Sequence, residues 1–395
     1  MTSHRPSLLA VTLAHITVDM HTGSLVVLLP LLLASFDLSY TSAAAVVTVN
    51  SLVIALAQPL FGVFGDRRAL TWLVPAGCLL TGAAMVTVLF VPSYALALLV
   101  VMLAGFGSAA FHPEALSRVR AVSGSLAASS TSVFFAGGNV GFALGPTLAV
   151  LLTQRFGRPG ALVMLLPTLL ALGFLATQWR VLGQAQNTRL TRSQTDRRSR
   201  RGVVGVVGFL MVLIILRSTT VGGLQTFLPL YFGENGELPP EGAAFLVTLL
   251  LISGVAGTLS GGTLAERFGR KAMMVGTMSV ALVGLVVFLH ADFLHAGGPL
   301  RIAAICVGGA CISAAWPVLV VMIQESMPGH IGLASGLSLG TAYGATGLGV
   351  ASLGGLADTF GLPLTMNVIT LLPLGILLLT LFLPERVARP ATLLS

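Results

Sequence analysis

A turn that combines glycine, an acidic residue and arginine decides the fold, because the chain contains it twice. The first copy reads Gly62-Val63-Phe64-Gly65-Asp66-Arg67-Arg68. The second copy starts 200 positions later, at Gly262, and reads Gly262-Thr263-Leu264-Ala265-Glu266-Arg267-Phe268-Gly269-Arg270-Lys271. Each copy follows an apolar run of about 20 residues, the length that one helix needs to cross a bilayer core. The repeat therefore predicts two equivalent bundles of helices in a membrane protein.

The composition supports a membrane location for the whole chain. Of its 395 residues, 55% are hydrophobic and 9% are charged, whereas a soluble domain carries about a quarter charged residues. Twelve membrane spans would use roughly 240–280 residues, and short loops would use the rest. The composition therefore excludes a separate soluble enzyme domain.

Apolar runs predict twelve helices, and one polar segment divides them into two sets. Residues 183–201 are rich in arginine, glutamine, serine and threonine and lack helical periodicity, which is typical of a flexible linker. We expect an all-α polytopic membrane protein with 12 transmembrane helices in two pseudo-symmetric six-helix bundles, residues 1–182 and 202–395, the second ending in a short cytoplasmic tail. The predicted helices lie at 8–34, 41–63, 70–91, 94–116, 123–153, 159–180, 203–231, 243–264, 272–291, 300–324, 332–356 and 362–383.

The distribution of basic residues predicts the orientation in the membrane. The net charge is +8, and the basic residues concentrate in loops on one side, as cytoplasmic loops do. We therefore expect both termini in the cytoplasm, contact with anionic membrane lipid, and no nucleic-acid partner. The predicted cytoplasmic segments hold 17 of the 21 basic residues: Arg5, Arg67, Arg68, Arg118, Arg120, seven arginines from Arg180 to Arg201, Arg267, Arg270, Lys271, Arg386 and Arg389.

The repeated turn is a candidate for a conformational gate. Gly62 and Gly262 lack side chains, so a neighbouring helix can approach closely. Asp66 and Glu266 would lie near the N-terminal ends of the predicted eleventh and fifth helices, where the helix dipole favours negative charge. With the adjacent Arg67 and Arg267, they would latch the cytoplasmic side shut. Alternatively, Asp66 and Glu266 are ordinary acidic loop residues that lie beside cytoplasmic arginines and have no gating role.

The predicted fifth helix contains a second candidate for conformational control. Gly141 and Gly145 lie one turn apart and give the helix a smooth face for close packing. Pro146 follows and removes a backbone hydrogen bond, which bends a helix. Close packing alone is the alternative to a functional role.

Two charged residues near the middle of predicted spans are the strongest functional candidates. A charge at the bilayer centre costs at least about 2.5–3.5 kcal/mol on insertion scales, so it usually serves a purpose. Arg217 offers a permanently charged planar fork that suits carboxylate, phosphate or phosphonate. Asp19 can pair with Arg217, or it can bind and release a proton. A static Asp19–Arg217 pair that only holds the two halves together is the alternative.

The sequence His112-Pro113-Glu114 lies in the cytoplasmic half of the predicted fourth helix. Histidine titrates near neutral pH, so the trio can act as a proton relay or, through its proline, as a hinge. Alternatively, Glu114 pairs with Arg118 at spacing i+4. His15 can share a helix face with Asp19. The sequence brings too few potential metal ligands together, so we predict no metal site.

Other polar positions inside predicted spans are candidate substrate contacts. These are His21, Asn139, Gln225 and Tyr343. His21 is rotated away from Asp19 on a helical projection. Hydrogen bonding between helices is the alternative for each of these side chains taken singly.

Three stretches of the first half carry a family resemblance, residues 14–20, 58–62 and 105–115, and the most specific part is Phe111-His112-Pro113-Glu114-Ala115. In these stretches the chain resembles the fosmidomycin-resistance branch of the major facilitator superfamily. It implies a bacterial inner-membrane exporter that exchanges a small-molecule drug, such as a phosphonate, for protons. It also implies a monomer with no cofactor beyond the proton gradient. Val101 stands where related drug exporters often carry an arginine, so proton coupling would fall to Asp19, His112 and Glu114.

These observations predict a secondary transporter rather than an enzyme. No serine–histidine–aspartate arrangement, zinc-ligand motif or nucleotide-binding loop is visible in the sequence. An importer or facilitator for an anionic metabolite remains an alternative, and so does a membrane sensor that does not transport.

Overall fold

The computed structural model describes residues 5–36, 40–68, 70–124, 126–183, 200–234, 240–290 and 298–383. Over these residues the chain forms twelve α-helices and no strand, which confirms the predicted all-α fold. Nine spans in this part are long and apolar enough to cross a membrane. The helices are α1 (Arg5–Phe36), α2 (Tyr40–Arg67), α3 (Leu73–Thr87), α4 (Tyr94–Val122), α5 (Ala127–Phe156), α6 (Leu165–Thr177), α7 (Arg200–Glu234), α8 (Pro240–Phe268), α9 (Arg270–Leu289), α10 (Gly298–Ser326), α11 (Ile331–Phe360) and α12 (Leu362–Leu381).

The largest departure from the predicted helix boundaries precedes α6. The prediction places one helix at 159–180, but the segment begins as a 3₁₀-helix, Arg158–Met164. Gly157 adopts a φ of 66°, which favours glycine and turns the chain sharply after α5. Pro159 then lacks an amide hydrogen and starts the tighter helix. The turn closes with a 2.9 Å hydrogen bond from the Gly160 amide to the Gly157 carbonyl.

The chain divides into two compact units. The first contains Met1–Arg198 together with Met327–Gly340, and the second contains Ser199–Ser326 with Thr341–Ser395. The beginning of α11 therefore packs with the first unit. Residues 184–199 of the predicted linker lie outside the described part, and the predicted boundaries at 182 and 202 stay predictions.

Glycines hold α1 and α5 close together in the first unit. A Cβ atom added to Gly141 would lie 3.0 Å from the Cα of Ile16, and one added to Gly145 would lie 3.1 Å from the Cα of Met20. Such contacts leave no room for a side chain, so the predicted close packing of the glycine face is confirmed. The packing also brings the middle of α1, including Asp19, directly against α5.

The second unit uses small residues in the same way. A Cβ atom on Gly257 of α8 would lie 2.7 Å from the Cα of Ala310, and one on Gly261 would lie 2.9 Å from the Cα of Ala314. Both alanines belong to α10, so the two backbones touch at two points that lie one helical turn apart. Such seams determine where polar side chains can meet inside the unit.

Candidate functional site

Asp19 lies between two histidines inside the first unit. His15, one turn earlier on α1, places its Nε2 3.1 Å from the Asp19 Oδ2 atom. His112, on α4, places its Nε2 3.2 Å from the Asp19 Oδ1 atom. All three residues are buried, and both histidines are 1% exposed. From the sequence, Asp19 and His112 were predicted to have functional roles, whereas His15 was predicted only to lie on the same helix face as Asp19.

Backbone carbonyls fix the orientation of both imidazole rings. The Nδ1 atom of His15 lies 2.7 Å from the carbonyl oxygen of Phe134 on α5. The Nδ1 atom of His112 lies 2.8 Å from the carbonyl oxygen of Ser108, one turn earlier on α4. A carbonyl oxygen only accepts hydrogen bonds, so each Nδ1 carries a hydrogen and donates it. Each Nε2 therefore faces the carboxylate.

Aromatic rings and a glycine enclose this cluster. The His15 ring stacks on Phe134 with centroids 3.9 Å apart and an interplanar angle of 16°. Gly138 of α5 lies so close that an added Cβ would be 2.6 Å from the Asp19 Oδ2 atom. The Asp19 side chain retains 12% exposure, against 2% for each histidine. Access to the cluster therefore runs past Asp19.

The hydrogen bonds determine how many protons the cluster needs. A neutral imidazole protonated at Nδ1 presents a lone pair at Nε2, and an ionised carboxylate presents only lone pairs. Each contact of Asp19 with His15 or His112 therefore requires one proton. With both contacts made, each histidine carries a second proton, on Nε2, and is positively charged. The two imidazolium rings and the one carboxylate then have a net charge of +1. Loss of a proton turns one contact into a repulsion and weakens the link of Asp19 to that histidine.

The same three groups can ligate a metal ion. Their ligand atoms all lie within 4.8 Å of one another. The prediction of no metal site assumed too few convergent ligands, and this assumption is wrong. The sequence could not reveal the convergence because His112 comes from α4, far along the chain from His15.

Glu114 lies apart from the Asp19 cluster. It forms an ion pair with Arg118, and both side chains are 1% exposed. The Nη1 atom of Arg118 also donates a 2.9 Å hydrogen bond to the Leu182 carbonyl. His112 and Glu114 are two residues apart, about 200° around the helix, so they face different neighbours. The alternative pairing with Arg118 is the observed one, and a proton-coupling role for Glu114 stays a prediction.

Arg217 is the corresponding charged residue of the second unit, and it is half-buried. Its Cζ atom lies 5.5 Å from the centre of the Trp316 ring, within the range of a cation–π interaction. Its Nε atom is buried and has no hydrogen-bond partner among the described residues. The sequence contained a signal for this contact, because Ser313-Ala314-Ala315-Trp316-Pro317 repeats Ser108-Ala109-Ala110-Phe111-His112-Pro113. In each unit, an aromatic ring lies beside the candidate ionisable group.

The other predicted substrate contacts occupy different positions. The Nε2 atom of His21 lies 2.9 Å from the Thr168 hydroxyl, and its ring is 1% exposed, so it faces α6 rather than Asp19. Asn139 of α5 is exposed, and Gln225 of α7 and Tyr343 of α11 are half-buried. Their role in substrate binding stays a prediction.

The first copy of the repeated turn binds the start of α11. Asp66 accepts hydrogen bonds from the backbone amides of Gly332, at 2.6 Å, and Leu333, at 2.8 Å. A Cβ atom on Gly62 would lie 2.9 Å from the Cα of Leu333, so only glycine permits this approach. Asp66 thus satisfies two of the amides that a helix start leaves unpaired. Arg67 is exposed.

The second copy ends α8 in the other unit. Gly262 is buried and Glu266 is half-buried. Arg267 is exposed, and its Cζ atom lies 5.3 Å from the centre of the Phe268 ring. The predicted contact of Glu266 with the start of α5, and the gating roles of both turns and of Gly141, Gly145 and Pro146, stay predictions.

Comparisons with known proteins agree with this architecture. A family model described as Major Facilitator Superfamily matches residues 11–350 and 210–394. The chain is 30% identical to the fosmidomycin resistance protein of Escherichia coli (strain K12) over 379 residues, 95% of this chain and 92% of the relative. It is 29% identical to an uncharacterized MFS-type transporter, YfnC, of Bacillus subtilis (strain 168), over 94% of this chain and 91% of that protein.

A solved structure shows the same fold at lower sequence identity. The proton:xylose symporter XylE, bound to 6-bromo-6-deoxy-D-glucose, matches with a TM-score of 0.76 and 14% identity. The match covers 97% of this chain and 96% of that one. The twelve-helix fold and its multi-pass membrane location follow, and the protein is a transporter rather than an enzyme. By the family model and by its relatives along nearly the whole length, the chain belongs to the major facilitator superfamily.

Proposed function

We propose that this transporter is a proton-coupled antiporter that exports a small anionic, phosphonate-like compound by alternating access. The observation that carries the proposal is the Asp19 carboxylate held between His15 and His112. Buried ionisable groups inside a membrane-spanning bundle commonly mark proton pathways. The similarity to a protein named for fosmidomycin resistance supports export of a drug.

Proton exchange at the Asp19 cluster would change the contacts among three helices. The two protons shared by the cluster link α1 to α4 through His112, and His15 continues the link to α5 through the Phe134 carbonyl. Release of a proton weakens one of these links because lone pairs then face each other. A conformational change becomes easier when the link is broken, and this coupling of protonation to movement is what an antiporter needs.

Arg217 is the proposed anchor for the anionic substrate. Its guanidinium remains charged at physiological pH and binds a carboxylate or phosphonate through two parallel hydrogen bonds. The Trp316 ring lies against one face of the guanidinium, with its centre 5.5 Å from the Arg217 Cζ atom. The N–H groups along the edge of the guanidinium would then bind the ligand. His21, Asn139, Gln225 and Tyr343 remain candidates for further substrate contacts.

The repeated turns would gate the cytoplasmic side. Asp66 holds the start of α11 through two backbone amides, and we propose the equivalent function for Glu266. Both contacts must break when the transporter opens to the cytoplasm. We also propose a bacterial inner-membrane location with both termini cytoplasmic, a monomeric protein, contact with anionic lipid, no nucleic-acid partner and the proton gradient as the only energy source.

Proton movement in everted membrane vesicles tests the proposal. A pH-sensitive dye would report proton efflux after addition of phosphonates, neutral drugs or lipophilic cations. We expect a phosphonate to restore the dye signal with the wild type and with His290→Gln, an exposed control. We expect no response with Asp19→Asn or Arg217→Ala. A response only to neutral or cationic drugs would contradict the anionic substrate, and movement of substrate in the opposite direction would favour an importer.

A further inference from the structure

We propose that His15, Asp19 and His112 also form a binding site for a divalent transition-metal ion of the Zn²⁺ class. The two imidazole Nε2 atoms and the Asp19 carboxylate would be the three protein ligands. The fourth position would be open on the exposed side of Asp19, as in zinc sites that keep a water or another ligand.

The distances between the ligand atoms fit this assignment. A tetrahedral ion with bonds of about 2.0–2.1 Å places its ligand atoms about 3.3 Å apart. The His15 Nε2 atom lies 3.1 Å from the Asp19 Oδ2 atom, and the His112 Nε2 atom lies 3.2 Å from the other carboxylate oxygen, Oδ1. One ligand atom from each of the three residues lies within 4.8 Å of the others. An ion could therefore bind with only small movements of the side chains.

The hydrogen bonds around the cluster prepare both histidines as ligands. A metal-binding histidine usually donates its second ring hydrogen to a carbonyl or carboxylate, which fixes the tautomer and the ring orientation. The Nδ1 atoms of His15 and His112 bond to the carbonyls of Phe134 and Ser108 at 2.7 Å and 2.8 Å. Both Nε2 atoms therefore already point at the same carboxylate, and each presents a lone pair to a metal once it has lost its proton.

The chemistry of the ligands selects the class of ion. Imidazole nitrogen suits Zn²⁺, Cu²⁺ and Ni²⁺, whereas Mg²⁺ and Ca²⁺ prefer sites made of oxygen. A set of two nitrogens and one carboxylate therefore favours zinc over magnesium. Gly138, whose Cβ would lie 2.6 Å from the Asp19 Oδ2 atom, leaves the space that the carboxylate needs to face both rings.

A bound metal would exclude the shared protons, because both occupants use the same lone pairs. The ion would also hold α1 against α4 in one arrangement. We therefore expect Zn²⁺ to inhibit proton-coupled transport. This consequence rests on the proposed function, whereas metal binding itself does not.

Zinc titration of the purified full-length protein tests the site directly. The protein would carry no polyhistidine tag, and calorimetry in detergent would measure Zn²⁺ affinity, with Mg²⁺ as the contrasting ion. We expect one Zn²⁺ site that is at least about 10–100-fold weaker in His15→Gln and in His112→Gln. His290→Gln, which removes an exposed histidine, should bind as the wild type does. Equal affinity in all four proteins, or a loss in His290→Gln alone, would overturn the proposal.

A second variant keeps the test valid if the glutamine variants misfold. His112→Cys retains a ligand at this position, so the bound metal should remain and its spectrum should change. Co²⁺ as the probe would gain a thiolate charge-transfer band in this variant and not in the wild type. Absence of that band in a folded His112→Cys protein that binds Co²⁺ elsewhere would overturn the assignment of His112.

Zinc addition to the vesicle assay separates this proposal from the proposed function. Zinc binding that needs His15 and His112, in a protein without proton-coupled transport, would support the site and contradict the function. Proton-coupled transport in a protein that binds no Zn²⁺ would support the function and contradict the site. Inhibition of wild-type transport by Zn²⁺ over the concentration range that fills the site, unchanged in His290→Gln, would support both.

Discussion

Replacement of Asp66 by asparagine should release the start of α11 from α2. The two carboxylate oxygens accept hydrogen bonds from the amides of Gly332 and Leu333 at 2.6 Å and 2.8 Å. Asparagine has one oxygen and one NH₂ group, so one backbone amide would face a donor. A hydrogen bond to a charged acceptor contributes about 1.5–3 kcal/mol, and the charge at the helix start about 0.3–1 kcal/mol.

The expected loss is therefore about 2–4 kcal/mol, which corresponds to about 30-fold to 700-fold in the opening equilibrium at roughly 1.4 kcal/mol per factor of ten. Hydrogen–deuterium exchange of the peptide that spans residues 327–340 measures this opening. We expect exchange of the Gly332 and Leu333 amides to accelerate by a factor in that range in Asp66→Asn. The matched control is Asp358→Asn, an exposed acid near the other end of α11, which should leave exchange unchanged.

A double-mutant cycle makes the prediction stricter. A Cβ atom on Gly332 would lie 2.5 Å from the Gly62 carbonyl oxygen and 3.0 Å from the Asp66 Oδ1 atom, so it would push α2 away from the start of α11 at the same contact. Gly332→Ala and Asp66→Asn disrupt one contact, so their effects should be clearly less than additive. Unchanged exchange in Asp66→Asn, or strictly additive effects in the double variant, would refute this account of the contact.

Three further perturbations follow from the packing and the charges. Gly141→Ala should lower the free energy of unfolding by about 1–3 kcal/mol, because its methyl group would meet the α1 backbone. The control is Gly205→Ala, whose methyl group would meet nothing within 4 Å and should leave the stability unchanged. Thermal melts in detergent compare the two variants. Arg217→Lys keeps the charge but loses the planar fork, so vesicle uptake of anionic substrate should fall much more than uptake of any neutral substrate; equal losses would indicate a structural role. Glu114→Gln leaves Arg118 buried without its ion-pair partner and should cost about 3–5 kcal/mol of stability, and a melt equal to that of the wild type would contradict this assignment.

The helices could be predicted from the sequence because bilayer thickness sets the length of each apolar run. The role of Gly141 in close packing could also be predicted, because two glycines one turn apart give a helix a face without side chains, against which another helix can pack. The contact of Asp66 with the start of α11 followed from the internal repeat and the helix dipole. In each case a local pattern and a single physical constraint were enough.

The arrangement of the Asp19 cluster could not be predicted in full. Helical spacing puts His15 on the face of Asp19, but it says nothing about which residue of α4 lies opposite. His112 and Glu114 are two positions apart and are both titratable candidates, and only the packing of α4 sends one to Asp19 and the other to Arg118. The two Nδ1–carbonyl bonds that orient the rings depend on that packing as well.

Coupling of protons to transport at Asp19 is the central requirement of the proposed antiport. Substrate counterflow measures exchange of labelled for unlabelled substrate without a proton gradient, and gradient-driven accumulation measures coupling in the same vesicles. We predict that Asp19→Asn retains counterflow and loses gradient-driven accumulation, while His290→Gln retains both. Gradient-driven accumulation by Asp19→Asn at the wild-type level would contradict the assignment of the proton site.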